Sequence, residues 1–469
     1  MPRTRRLSAA CYVLAWIGTL ADQLGGLRPA GDVAGIAILV FLLLQFCHQR
    51  RYAQLLFIGL AGIGMVGIAV AAHPAALFMA GWRRGAEYAA FFLALTALRD
   101  AAETSPLVHR CGAHLVAQPP GRRYAALTAG GHVFGIILSY GAIDLLGAMV
   151  ARANTLEAAG GVAEVQALRG RRMLMAIYRG FCVMNCWSPL NIMTAVVSTA
   201  VPDAPMRLLL APAFAIALGM AAIGWLEDRI SAARRMRAAS TARPTTRDGW
   251  SVHLGIIVLV ALVMLLAEAF STRDDISLVI AVTLIVPLVG LGWHLVQLRR
   301  FRPARRTALL GRRLRRFVHR IPVFRGEATV LAASGFMGTA IGAVLPHSGI
   351  AAVLGGVPPV LVPLAVPVVL IATGQVGLNP VAVVAMLGAA LPHPAALGIP
   401  PAALAFAYML SWGVAVGMTP MSASAITTAR WAGVSPFTVS TAWNARFTLG
   451  SLLLSWAAIG LAFVVFTAG

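Results

Sequence analysis

Apolar runs of about 20 residues recur along the chain between short arginine-bearing segments, and that is the length a helix needs to cross the hydrocarbon layer. The runs predict spans near 8–25, 33–48, 54–72, 85–100, 175–200 and 206–226, and again near 251–270, 276–297, 328–345, 401–427 and 447–467. Two further apolar stretches, 126–150 and 359–392, are too long or too interrupted for a single crossing. The first is bounded by Arg122-Arg123 and Arg152 and carries Ser139-Tyr140-Gly141 in its middle. The second carries Thr373-Gly-Gln-Val-Gly-Leu-Asn-Pro380, a turn-rich sequence that breaks a helix at membrane depth. Each predicts a hairpin that returns to the face it entered, because irregular backbone inside a bilayer must be lined by protein or water. The expected fold is an all-α polytopic membrane protein with about eleven transmembrane helices and two re-entrant hairpins.

Arginine placement predicts orientation. Arg229 to Arg247 and Arg299 to Arg325 are the richest connections and read as cytoplasmic loops, with two spans between them. Counting back places the N-terminus inside and Arg83-Arg84 outside; counting forward places the C-terminus outside. The order of events then repeats: two spans, a third, a hairpin, a span interrupted by proline and polar residues, and a closing span. The expected organisation is an N-terminal span over 1–32, a first repeat over 33–228 with its broken helix at 175–200, an Arg-rich linker over 229–250, and a second repeat over 251–469 with its broken helix at 401–427. Five crossings per repeat, an odd number, insert the second copy upside down. Inverted-topology repeats are a common plan of secondary transporters.

Composition narrows the class. The 469 residues are 59% hydrophobic and 12% charged, whereas soluble domains carry roughly 25% charged residues. The formal charge of +22 sits in the short connections, which is the positive-inside pattern and argues against nucleic acid as a partner. All the basic residues other than histidine are Arg, consistent with a GC-rich bacterial genome and a multi-pass place in the cell inner (plasma) membrane. Met1-Pro-Arg-Thr-Arg-Arg opens like a signal peptide, but the following run reaches Leu20 without a small-x-small cleavage site and reads as the first span. The five cysteines show no disulfide or metal spacing. Cys182 and Cys186, four apart, suit a soft metalloid in principle and packing more simply. No Walker motif, Gly-x-Ser-x-Gly or His-Glu-x-x-His occurs, so ATP-driven transport and familiar hydrolase chemistry lack support.

The interrupted spans hold the candidate chemistry. One runs Arg179-Gly-Phe-Cys-Val-Met-Asn-Cys-Trp-Ser-Pro-Leu-Asn191 and the other Ser411-Trp-Gly-Val-Ala-Val-Gly-Met-Thr-Pro-Met-Ser-Ala-Ser424. Proline at mid-membrane frees backbone carbonyls and creates a half-helix N-terminus, which together hold cations and anions. Asn185, Ser188 and Asn191 in the first break and Thr419, Ser422 and Ser424 in the second are therefore candidate substrate or ion ligands. Ser139 and Asp144 in the first hairpin and Thr373, Gln375 and Asn379 in the second join them. Such groups also back-bond to their own helix or hold neighbouring helices together. Asp144 reads either as a coupling-cation ligand or proton carrier, or as a solvated carboxylate near the cytoplasmic mouth. Arg179 and Arg446 could attract an anion or snorkel from a helix end. His132 and His347 are candidate proton relays or packing residues.

On these residues the chain resembles the ion transporter superfamily, which includes divalent-anion symporters, arsenite permeases and sodium/proton antiporters. Gly417-Met-Thr-Pro-Met-Ser422 is similar to the family's second helix break, Ser188-Pro-Leu-Asn191 to its first, and Gly377-Leu-Asn-Pro380 to a hairpin tip. The resemblance implies eleven spans, two opposed hairpins whose tips meet the breaks at a solute site, sodium or proton coupling without another cofactor, and a homodimer. The Ser-Asn-Thr signature of the dicarboxylate branch is missing at both tips. The expected function is a secondary active transporter for a small, anionic solute of the organic anion class. The alternatives are a metalloid or cation/proton antiporter of the same fold and a membrane-embedded enzyme acting on a lipid carrier.

Overall fold

The computed structural model describes residues 3–233, 249–274, 276–343, 356–391 and 394–468. All regular structure in those residues is helical. Eight segments are long and apolar enough to cross a membrane by length and composition: Thr4–Gly25, Arg28–His48, Arg51–Ala69, Met206–Ser231, Trp250–Arg273, Leu278–Leu298, Pro401–Ala432 and Ala445–Thr467. Large apolar side chains such as Leu55, Val66, Leu208, Leu265 and Leu461 point outward from them. An apolar surface on this scale marks contact with lipid. The protein is a multi-pass membrane protein.

The first half consists of α1 (Arg3–Gly25), α2 (Arg28–Gln45), α3 (Arg51–Ala69), α4 (Pro74–Glu103), α5 (Pro106–Val116), α6 (Pro120–Leu138), α7 (Gly141–Ala153), α8 (Ala163–Met184), α9 (Ile192–Ala200) and α10 (Met206–Ala233). The second consists of α11 (Leu254–Arg273), α12 (Leu278–Leu298), α13 (Pro303–Arg320), α14 (Arg325–Gly342), α15 (Leu361–Gln375), α16 (Pro380–Ala390), α17 (Pro401–Met418), α18 (Ala423–Ala432) and α19 (Ala445–Ala468). Three of the eleven expected spans are helical without reaching the apolarity of the eight. They are 85–100 inside α4, 175–200 across α8 and α9, and 328–345, described to residue 343, in α14. Their faces are buried against other helices, as the run Met173 to Met184 illustrates, and packed faces tolerate charges and small residues that lipid does not.

Two elements differ from expectation. Residues 299–325, expected as a loop, contain the helix α13, and Pro106–Val116 forms α5. Arginine density had masked the helical spacing of Leu310, Leu314 and Phe317 in α13. In the linker expected over 229–250, α10 continues to Ala233, residues 249–250 are described, and residues 234–248 lie outside the described set, as does His347.

The apolar residues sort mainly into two clusters. One joins α1, α2, α4 and α14 around Tyr12, Phe41, Trp82 and Phe336. The larger gathers α6 to α10 with α15 to α19 around Phe134, Tyr178, Met193 and Tyr408. Glycines set the close approaches between and within them. Gly85 meets the backbone of Ala332, and Gly335 that of Arg84, so α4 and α14 run antiparallel in contact. Along the second-half broken helix, 89% of the most apolar window is buried, against 22% for α19. The interrupted element is thus central, and the closing helix is peripheral.

Candidate functional site

Each interrupted span stops and restarts under its own capping residue. α8 ends at Met184, and α9 begins after Asn191, whose side chain accepts from the Met193 amide at 2.9 Å. α17 ends at Met418, and α18 begins after Ser422, which accepts from the Ala425 amide at 3.1 Å. Asn and Ser are preferred here because their oxygens satisfy an amide that lacks an intrahelical partner. In the first break Asn191 Nδ2 donates to Asn185 Oδ1 at 2.7 Å, and Asn185 Nδ2 donates to the Phe181 carbonyl at 2.7 Å. Thr194 donates to the Ser188 carbonyl at 3.0 Å. In the second, Thr419 donates to the Ala415 carbonyl at 2.7 Å and Ser422 pairs with Ser424 at 3.1 Å.

The two broken helices cross antiparallel. Gly413 faces Cys186, and Gly417 faces Cys182, with room for nothing larger at Gly413. This is a small-residue crossing of the kind that brings membrane helices together. It accounts for both thiols as packing groups: Cys186 also donates toward the Leu410 carbonyl at 3.7 Å. Beyond the crossing, each break lies beside the turns that precede the other. Tyr178 on α8 donates to the Val416 and Gly417 carbonyls at 3.3 and 3.2 Å, and its hydroxyl also interacts with Ser422 and Ser424.

Two short helices joined by a turn accompany each broken helix. α6 packs along α8 and α15 along α17, while the return arms cross over, α7 against α18 and α16 against α9. The first turn falls at Ser139, whose φ of 51° is unusual for a residue other than glycine. The second passes through Gly377 at φ 93°. Two neighbours reach the second break directly, as Gln375 donates to the Met418 carbonyl at 2.5 Å and Gly374 abuts Thr419, while Asn379 only caps α16 by accepting from the Val381 amide at 2.9 Å. Tyr52 donates to the Gly377 carbonyl. Among the described residues the Thr373 hydroxyl donates only within its own helix, to the Val369 carbonyl at 2.7 Å and the Leu370 carbonyl at 3.3 Å. On the first side α6 reaches the break through His132, whose Nε2 accepts from Trp187 Nε1 at 2.9 Å.

Of the remaining first-turn candidates, Asp144 bonds away from the breaks, near the far end of α18. Asp144 is half exposed and accepts from Arg430 and from Trp431 Nε1, a surface ion pair between α7 and α18. Next to Ser139, Tyr140 donates to Glu327 at 2.6 Å and lies under the Arg99 guanidinium.

Three residues matter that the sequence did not single out. Tyr178 is one, and Asn444 another: it donates to the Gly417 carbonyl at 2.8 Å and accepts from Arg179 Nε at 3.0 Å. Arg179 was weighed as a snorkelling side chain but is buried. It pairs with Glu227 at 2.7 Å and donates to Tyr124 at 3.0 Å and to the Trp443 carbonyl at 3.3 Å. Arg446 is exposed. Tyr408 is the third. Its hydroxyl, with those of Ser188 and Ser411, is buried without a partner among the described residues, and such groups are costly unless something polar meets them. The asparagine of Trp443-Asn444-Ala445 was a visible signal, an amide just before an apolar span. Tyr178 and Tyr408 carried none, since each reads as ordinary core.

No family model matches the chain, and no curated protein matches it. Among solved structures, one described as the Alcanivorax borkumensis YdaH transporter with an unusual topology is similar at a TM-score of 0.55 and 17% sequence identity, covering 88% of this chain and 99% of that one. At that identity the likeness is one of fold.

Proposed function

We propose that the protein is a secondary active transporter in which a small anionic solute binds between the two helix breaks and is driven by a sodium or proton gradient. The observation that carries the reading is the antiparallel crossing of two capped, broken helices at Cys182–Gly417 and Cys186–Gly413, each attended by two short helices joined by a turn. Free carbonyls and half-helix N-termini persist in a bilayer only around a protein-lined or wet cavity. The orphan hydroxyls of Ser188, Tyr408 and Ser411 supply candidate ligands there. The antiparallel contact of α4 with α14 adds a second pair in corresponding positions, in keeping with inverted repeats. The likeness to a transporter structure supports the same class. In this reading the cluster of α1, α2, α4 and α14 is the scaffold, and the hairpins with the broken helices are the moving unit.

The test is uptake into proteoliposomes under imposed sodium or proton gradients, screened across organic anions. Gradient-dependent uptake is expected, and Asn191→Ala or Thr419→Ala should abolish it. Stability should fall only modestly, since polar contacts in membranes average about 0.6 kcal/mol and a lost cap costs about 1 kcal/mol. Wild-type rates in both variants would remove the breaks from the site. For topology, single cysteines at residue 249 and residue 302 should label from the cytoplasmic face, and labelling from opposite faces would break the repeat.

A further inference from the structure

The end of α12 and the underside of α13 frame an open-sided cavity of about 460 Å³, lined by Thr104, Gln297, Arg299, Arg300, Leu309 and Arg313 among others. Its chemistry is lopsided. α13 carries arginines at 305, 306, 312, 313, 315, 316 and 320 and no acidic residue. Among the described residues neither Arg299 nor Arg300 has a carboxylate partner, and both are exposed. Arg313 is held from behind, donating to Gln297 Oε1 at 3.0 Å and contacting His294 Nδ1 at 2.9 Å, so its remaining donors are kept near the cavity. Asp100, paired with His294, offsets part of the Arg313 charge, while among the described residues Arg299 and Arg300 carry no such partner, and guanidinium groups of this kind around a concavity form a site for phosphate oxygens.

The surroundings say which phosphate. Leu288, Leu291 and Leu295 form an outward-facing stripe on α12 that ends at the cavity with exposed Val296. On α13, Leu314 and Val318 are exposed beside the arginines, so the helix presents both an apolar edge and a basic face, as helices at a membrane interface do. We infer that the cavity is a binding site for the headgroup of an anionic phospholipid. Arg299, Arg300 and Arg313 hold the phosphate, and an acyl chain lies along the Leu288–Leu291–Leu295 stripe. A free anion would use the arginines and leave the stripe empty. A basic pocket at the cytoplasmic end of spanning helices is a recurrent way of recognising such lipids.

The inference rests on membrane embedding and not on transport, so it is tested by lipid binding alone. The full-length protein in detergent is titrated with dioleoylphosphatidylglycerol or dioleoylphosphatidylcholine and followed by native mass spectrometry. Preferential binding of the anionic lipid is expected. Arg299→Gln with Arg300→Gln should weaken it roughly 10- to 30-fold, from about 1 kcal/mol per basic residue. Arg315→Gln with Arg316→Gln removes the same charge from exposed positions outside the cavity lining and should leave binding within about 3-fold. Equal binding of the two lipids overturns the site. So does an equal loss in both double variants, which indicates only a diffuse basic surface. Displacement of the lipid by millimolar inorganic phosphate assigns the cavity to a free anion and overturns it as well.

Discussion

Arg179→Ala is expected to destabilise the protein by about 1–3 kcal/mol, the cost of leaving buried hydrogen-bonding groups unsatisfied, and to stop transport. The guanidinium is buried and serves four groups from three places in the chain: Glu227 on α10, Tyr124 on α6, and the Asn444 side chain with the neighbouring Trp443 carbonyl just before α19. Through Asn444 it also fixes the amide that satisfies the Gly417 carbonyl in the last turn before the second break. Removing it strands Glu227 and frees Asn444 together. Arg179→Lys keeps the charge without the planar fork of donors, so it should recover part of the stability and little of the transport. Glu227→Gln in the Arg179→Ala background should recover stability, because the stranded charge is gone, and leave transport lost. Chemical unfolding in detergent reads the first quantity and vesicle uptake the second. An Arg179→Ala protein within about 0.5 kcal/mol of the parent, the usual range for surface changes, would show that Arg179 does not join these groups in the native protein.

Part of this site is legible in the sequence. Proline beside asparagine, serine and threonine inside an apolar run is a conflict between lipid and backbone, and only a helix break resolves it. The structure ends α8 at Met184 and α17 at Met418, next to those residues. The turn at Ser139 is legible for a related reason, since Ser-Tyr-Gly interrupts an apolar stretch too long for one crossing. What a single sequence does not disclose is partnership at long range. Arg179 and Asn444 are 265 positions apart, and neither has a local pattern to announce the other. Tyr178 looks like core because its ring is core; only its hydroxyl meets the break. α13 was missed for a different reason. Positive-inside reasoning counts arginines without asking how they are spaced, and here the spacing leaves one face for leucine and phenylalanine. Asp144 shows the reverse difficulty. A carboxylate in an apolar stretch reads either as an ion ligand or as a solvated group near a mouth, and only the fold decides, because α7 presents Asp144 to Arg430 at the surface.

Gly180→Ala is expected to lower stability by roughly 1–3 kcal/mol, at the upper end for overpacking, although alanine is the better helix former. A Cβ at Gly180 would overlap the Thr128 carbonyl oxygen, and one at Gly131 would overlap the Ile177 carbonyl oxygen. The two glycines lie on opposite sides of one crossing, α6 against α8, with backbone touching backbone, so no side-chain rotation can absorb the added methyl. The helices must move apart, and the movement should reach His132 and Trp187, whose bond ties α6 to the first break. Two comparisons separate this from a propensity effect. Gly59→Ala and Gly62→Ala place a Cβ where nothing lies within 4 Å, so on intrinsic preference these should be neutral or slightly stabilising. The Gly131→Ala and Gly180→Ala double variant should be destabilised by less than the sum of the single changes, because a separation forced by the first methyl already makes room for the second. Thermal unfolding of all five variants decides the matter. Additive losses at 131 and 180, or losses at 59 and 62 of similar size, would mean that α6 and α8 are not held at backbone contact.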